Sequence, residues 1–366
     1  MNQIAFIIGE KFLYWSSVIL ALSILCTVCL FLGLSLRKKE ERTAAFLAVP
    51  LALLLSMAFA RLVHWYCRPQ GYAGMAQALL DHSRGGYALI GAFFGCLLTA
   101  LILRVCRATR NLPALLDHMA LAGCLGICTG RLADLFTHSD RGIVLPASVP
   151  FPIADTVVNP VSGSTEVRLA VFLVQSILAG ILFVCLMIRY FSGSKKHPRR
   201  DGDISLLFLL WYCGSQAVLD SPRYDSLYFR SNGFVSVVQI FGVLTVLGLL
   251  VYLTVRLLKA GQKKKIWLPL LTLPLLGGAG FMEYYVQRHG SKAFLSYSVM
   301  GSCMLAVLII GTVIYYCTAS RREKEENPEE KPQEEFPEAA EEEPAPQLVK
   351  QAHPFRGTER YRGKFS

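Results

Sequence analysis

Residues 112–136 read LPALLDHMALAGCLGICTGRLADLF, and this stretch decides the fold. A helix rises 1.5 Å per residue, so an apolar run of this length is enough to cross a bilayer. It ends in Gly130-Arg131-Leu132-Ala133-Asp134, a glycine-preceded arginine followed by an acid. An ionised side chain among lipid tails costs about 2.5–3.5 kcal/mol on insertion scales, so such an arginine faces the protein interior, a partner charge or a ligand. The same 25 residues therefore imply a membrane fold and mark where a site belongs.

The rest of the chain agrees. Of 366 residues 53% are hydrophobic and only 17% charged, and the mean hydropathy is +0.43, too apolar for an ordinary soluble protein. The formal charge of +11 lies in short clusters between apolar segments rather than along one stripe, which reads as membrane topology and gives no nucleic-acid partner. The 11 cysteines fall mostly inside apolar segments, without the spacing of a metal site or disulfide framework, so they read as packing thiols and no cofactor or metal is implied. The N-terminus lacks a basic n-region, and its first apolar run is too long for a secretory leader; it reads as a retained membrane helix.

The hydropathy pattern predicts an all-α polytopic membrane protein with nine spans, at 12–36, 44–66, 86–104, 112–136, 168–190, 204–219, 233–257, 266–286 and 295–317. Lipid offers backbone groups no partners, so each span is a helix. Lys and Arg in the connections 37–43, 104–110, 189–203 and 256–265 number four, three, five and five, against two, one, two and two in 67–84, 137–166, 220–232 and 287–294. The positive-inside rule then places the N-terminus outside and the C-terminus inside. After Cys317 the chain turns Glu- and Pro-rich and then basic, the composition of a disordered cytoplasmic tail over 318–366.

With this topology, unusual polar residues gather in the outer half. Arg61 and His64 lie near the outer end of the second span, Gly85, Gly86 and Tyr87 at the outer start of the third, and Arg131 and Asp134 at the end of the fourth. Glu166 and Arg168 open the fifth, Gln216 and Asp220 close the sixth, and Gln239 lies inside the seventh. Convergence from six helices reads as the wall of a shared cavity; the alternative for Arg168 and Asp220 is snorkelling to the interface. Arginines at that depth suit a phosphate, because guanidinium presents a fixed fork of donors. Arg131 and Asp134 are three residues apart, so an ion pair within one helix face is the other reading for that couple.

At these residues the chain resembles the prolipoprotein diacylglyceryl transferases. Leu116-Asp117-His118 and Gly130-Arg131-Leu132-Ala133-Asp134-Leu135-Phe136 resemble the family's Asp-containing helix start and its Gly-Arg-x-Gly-Asn-Phe-x-Asn-x-Glu, with Asp134 at the first asparagine and Asp140 one residue beyond the glutamate. Ala60-Arg61-Leu62-Val63 resembles Ala-Arg-Leu-x-Tyr, and Gly85-Gly86-Tyr87-Ala88-Leu89-Ile90-Gly91 resembles Gly-Gly-x-Ser-x-His-Gly. Tyr212 to Asp225 resembles Tyr-Gly-x-x-Arg-Phe-x-x-Glu-x-x-Arg-x-Asp, with Gln216, Asp220 and Arg223 at the arginine, glutamate and second arginine. The likeness covers about 12–257, which implies a seven-helix transferase-like core over 1–257, an extra hairpin over 258–317, and the tail.

The resemblance implies transfer of the diacylglyceryl group from phosphatidylglycerol to the lipobox cysteine of prolipoprotein signal peptides, at the outer face of a bacterial plasma membrane. On that reading Arg131 holds the headgroup or leaving phosphate, with Arg61 and Arg223 as supporting cations. Asp134 orients it, and His64 or Tyr87 handles the proton. Gly85, Gly86, Gln216 and Asp220 complete the substrate-binding set. The family's histidine is Ile90 here and one of its arginines is Gln216, so a non-catalytic phospholipid-binding protein on the same fold is the alternative. A transporter would show Gly/Pro-broken spans at corresponding places in two halves, and none is found.

Overall fold

A computed structural model describes residues 4–8, 11–37, 41–81, 85–137, 139–158, 163–192, 199–230, 233–289 and 293–326. Among them seven helices are long and apolar enough to cross a membrane: α1 (Trp15–Ser35), α2 (Arg42–Cys67), α5 (Leu112–Gly130, continued by a 3-10 turn to Phe136), α6 (Val171–Phe191), α8 (Val237–Lys259), α9 (Trp267–His289) and α10 (Ala293–Glu326). Two further apolar helices, α4 (Leu89–Val105) and α7 (Asp203–Leu219), have 17 residues each, and a short α3 (Met75–Leu80) lies in the link before α4. All nine expected spans are helices. Two antiparallel hairpins were not anticipated: β1 (Ile4–Ile8) with β2 (Lys11–Tyr14), and β3 (Ala154–Val158) with β4 (Thr165–Leu169).

The fifth span accordingly starts at Val171, because Thr165-Glu166-Val167-Arg168-Leu169 alternates polar and apolar residues and pairs as a strand. Glu166 and Arg168 therefore lie outside the helix, where they form an ion pair at 2.6 Å. Gln239 also differs from expectation: its side chain and that of Ser236 cap the start of α8 in a capping box. Helix α10 runs past Cys317 to Glu326, and the tail over 327–366 lies outside the described residues.

The bundle is apolar outward and polar in its seams. Leu20, Leu25, Leu54 and Ile181 are exposed, whereas Ser23, Thr99, Gln175 and Ser176 are buried. Lipid removes the hydrophobic drive between helices, so close packing and interhelical hydrogen bonds replace it. Ser23 Oγ donates to the Gly126 carbonyl at 2.9 Å, Ser56 Oγ to that of Ala92 at 3.0 Å, and Ser176 Oγ to that of Cys128 at 2.6 Å. These bonds tie α1 to α5, α2 to α4, and α6 to α5. Helices α9 and α10 pack on each other, and α10 lies against α7 and α8. There the Trp211 indole donates to Thr312 Oγ1 at 3.0 Å, while Met304, Val307 and Leu308 join a core with Leu210, Val246 and Leu250.

Opposite ends of the bundle carry different polar groups. At the end bearing the basic connections, Asp117 of α5 accepts from the Gly202 and Ser205 amides at 2.9 and 2.8 Å, satisfying the start of α7 with a negative charge. Arg256 of α8 approaches Asp203 at 3.7 Å beside it. The residues expected to form a site lie at the other end.

Two glycines set the α2–α4 spacing. A Cβ on Gly91 would stand 2.3 Å from the Phe59 carbonyl oxygen, and one on Gly95 would stand 2.5 Å from the Ser56 backbone. Gly123 of α5 has nothing within 4 Å. Alanine gains about 1 kcal/mol of helix propensity over glycine, whereas overpacking costs about 1–3 kcal/mol. Gly91→Ala and Gly95→Ala should therefore lower the Tm of the detergent-solubilised protein and Gly123→Ala leave it unchanged or raised, by thermal unfolding on all three variants.

Candidate functional site

Two polar clusters form at the end opposite the basic connections. The first is built on the end of α5, where the helix tightens into the 3-10 turn Arg131–Phe136. The Arg131 guanidinium makes a direct ion pair with Asp140, stands 3.6 Å from Asp134, and neighbours Tyr212 of α7. The other oxygen of Asp140 meets Arg223 in a second direct ion pair. Arg223 in turn binds Asp220 at 2.9 Å and Asp225 at 3.1 Å. Asp225 Oδ2 accepts the Asp140 amide at 3.0 Å, and Asp220 Oδ2 accepts the Ser236 hydroxyl. Four carboxylates thus surround two guanidiniums, and Asp140 bridges both cations.

Asp140 sits in the left-handed region at φ 56°, which short polar side chains tolerate better than most. Its neighbour Arg141 fixes that conformation. Arg141 is buried, donates to the Asp134 and Ser139 carbonyls at 2.7 and 2.5 Å, ion-pairs with Asp155, and packs over Phe172 at 4.5 Å. Within the first cluster the buried Nε of Arg131 has no hydrogen-bond partner among the described residues.

The second cluster is built on the end of α2. Arg61 is 1% exposed and lies between the rings of Tyr72 and Tyr87, at 5.3 and 5.1 Å. Its Nε donates to the Ala78 carbonyl at 2.7 Å and its Nη1 to the Gly86 carbonyl at 3.0 Å and to Tyr72 at 3.2 Å, with further contacts to the carbonyls of Gly85 and Asp81. Those are five acceptors around a group with five N–H donors, so Arg61 is used in folding the 72–88 link. His64 Nδ1 lies 3.2 Å from the Tyr72 hydroxyl. Gly86, at φ 81°, lets the link pass the imidazole; a Cβ there would stand 2.5 Å from His64 Cε1.

The structure therefore divides the expected site residues into two groups. Arg131, Asp134, Asp220 and Arg223 meet in one; Arg61, His64, Gly85, Gly86 and Tyr87 meet in the other. Arg68 spans between the groups by donating to the Asp225 carbonyl at 2.8 Å, and the Tyr66 ring lies 6.3 Å from that of Phe229. Gln216 belongs to neither: it is buried and hydrogen-bonded to Gln175 at 2.9 Å. Ile90 occupies the first turn of α4. Asp140, Tyr212 and Ser236 were missed as site residues. The only sequence signal for Asp140 was its place one residue beyond a motif glutamate, and nothing in the sequence linked Ser236 to Asp220. Burial raises the Tyr228 phenol above its usual range, and the charges of Asp220 and Glu283 add to that, so it stays protonated beside the first cluster at neutral pH.

A family model described as prolipoprotein diacylglyceryl transferase matches residues 3–255. The chain is 22% identical over 277 residues to the phosphatidylglycerol–prolipoprotein diacylglyceryl transferase of Bacillus licheniformis, covering 72% of this chain and 96% of that protein. It is 27% identical over 231 residues to the enzyme of that name from Parasynechococcus marenigrum, covering 62% and 81%, and 20% identical over 254 residues to that of Listeria monocytogenes, covering 69% and 90%.

The two arginines should fail differently. Arg61→Ala strands several carbonyls of the 78–86 segment, each worth about 1–3 kcal/mol when buried unpaired. Limited proteolysis of the reconstituted protein should show new cleavage between 78 and 88, which Arg61→Lys does not prevent because an ammonium cannot reproduce the fork. Arg131→Ala should leave that cleavage pattern as in the wild type.

Proposed function

Because the chain belongs to the prolipoprotein diacylglyceryl transferase family, we propose that it transfers the diacylglyceryl group of phosphatidylglycerol to the thiol of a lipobox cysteine, at the outer face of a bacterial plasma membrane. One observation carries the reading at the level of the site. Arg131, at the end of α5, and Arg223, in the turn after α7, direct their guanidiniums at a single carboxylate, Asp140. A place where one oxyanion is held by two guanidiniums is matched to a phosphate diester and to the phosphate monoester it becomes.

In the proposed reaction the cysteine sulfur attacks the glyceryl carbon that bears the phosphate. A carbon–sulfur bond forms, the carbon–oxygen bond to phosphate breaks, and the thiol proton leaves through a base. The products are a thioether and glycerol phosphate. Charge grows on the departing phosphate, so cations fixed at that point lower the barrier without reorganising. Arg131 takes the phosphate, with Arg223 beside it and Asp134 orienting Arg131. Asp140 must yield part of its hold as the phosphate enters. His64 or Tyr87, on the neighbouring cluster, takes the thiol proton; Arg61 supports them by holding the 78–86 segment.

The alternative, a phospholipid-binding protein without turnover, draws on Ile90 at the position of the family histidine and on Gln216, which pairs with Gln175 instead of supplying a cation. One assay separates the two. Full-length protein in phosphatidylglycerol proteoliposomes, given a lipobox peptide, should yield the diacylglyceryl thioether by mass spectrometry. Arg131→Ala should lower kcat by about 100-fold or more, the usual cost of removing a preorganised charge donor. Wild-type protein that retains phosphatidylglycerol yet forms no thioether, with Ile90→His equally inactive, would establish the binding role instead.

A further inference from the structure

Helices α9 and α10 lie beyond the 3–255 match, yet a carboxylate of α9 reaches Ser221, the residue next to Asp220 of the first cluster. Glu283, near the site end of α9, is 9% exposed. Its Oε2 accepts the Ser221 hydroxyl at 2.5 Å and its Oε1 accepts from Gln287 at 3.1 Å. Tyr297 of α10 neighbours the same serine. Ser221 directly follows Asp220, which is 1% exposed and holds Arg223. The turn between them closes on itself: Ser226 Oγ donates to the Asp220 carbonyl at 2.7 Å, and the Ser221 amide donates to that of Val218 at 3.2 Å.

A glutamate buried in a membrane helix carries a desolvation cost that apolar docking of a hairpin would avoid. The hairpin already has apolar docking, through Leu308 on Gly214 and Leu210 against Gly311. What Glu283 adds is a charged acceptor one residue from the Asp220–Arg223 pair. We propose that Glu283 is a positioning residue of the site, which through Ser221 sets the 220–226 turn so that Arg223 meets Asp140 opposite Arg131. The inference rests on the transferase reading for its effect on turnover, and on geometry alone for its effect on the turn.

The test uses full-length protein in phosphatidylglycerol proteoliposomes, with Glu283→Ala, Glu283→Gln, Ser221→Ala and the double alanine variant. Loss of a hydrogen bond to a charged group corresponds to about tenfold, so Glu283→Ala should lower kcat/KM for thioether formation about tenfold, mainly in kcat. Glu283→Gln, which keeps an acceptor for Ser221, should recover most of it. The double variant should fall no further than the lower single one, since both remove one link. Amide hydrogen exchange gives an arm independent of turnover: residues 220–226 should exchange faster in Glu283→Ala while α5, α9 and α10 keep wild-type protection. Unchanged protection of 220–226, additive losses in the double variant, or loss of protection throughout α9 and α10 would each overturn the inference, the last by reducing Glu283 to a docking contact. An inactive wild type whose 220–226 exchange still responds to Glu283→Ala would count against the transferase reading and leave the positioning role standing.

Discussion

Two guanidiniums repel, and in a membrane they are also costly to bury; Asp140 answers both problems with one carboxylate. Because its two oxygens are taken by arginines from distant parts of the chain, the end of α5, the loop after it and the 220–226 turn have fixed positions relative to one another. The remaining carboxylates complete the balance, with Asp134 on Arg131 and Asp220 and Asp225 on Arg223. On the proposed reading, a phosphate entering such a place would exchange with a carboxylate already present. Its affinity is then a difference between two charge-assisted contacts rather than the full strength of either, which suits a group that must also leave.

Arg61 and Arg131 show how little a residue's identity and depth say about its use. Arg61 lies inside the last turns of α2, and Arg131 stands where α5 tightens into its 3-10 turn. Arg61 is met by carbonyl oxygens and tyrosine rings, with no ion pair to a carboxylate among the described residues; Arg131 is met by carboxylates, which cancel charge but leave Nε without a partner among those residues. The first arrangement fixes a loop and puts a steady positive field beside His64. The second leaves one buried donor unpaired among the described residues.

The helices were legible because lipid permits one solution for an apolar run, and all nine expected spans are helical. The strands were not, since Lys11–Tyr14 and Thr165–Leu169 adjoin apolar runs and disappear into their hydropathy. Motif order pointed to Arg131, Arg223 and Asp220 together. It could not reveal Asp140 bridging them, because that contact depends on the left-handed backbone at residue 140 and on the buried Arg141 beside it. Nor could it divide the polar residues into two clusters. The count of residues at one depth was informative, whereas their neighbours around the bundle axis required the packing.

Helix α7 is held by the same neighbour at both ends. At its start the amides of Gly202 and Ser205 close on Asp117 of α5, and at its finish Asp220 joins through Arg223 and Asp140 to Arg131, where α5 ends. Seventeen residues of helix make a rod about 25 Å long, pinned at two points to a second rod. Neither can turn about its axis or slide along the other without breaking polar contacts at both ends of the bundle at once. The pair is a frame fixed at both ends, against which α1, α6, α8 and α10 are packed.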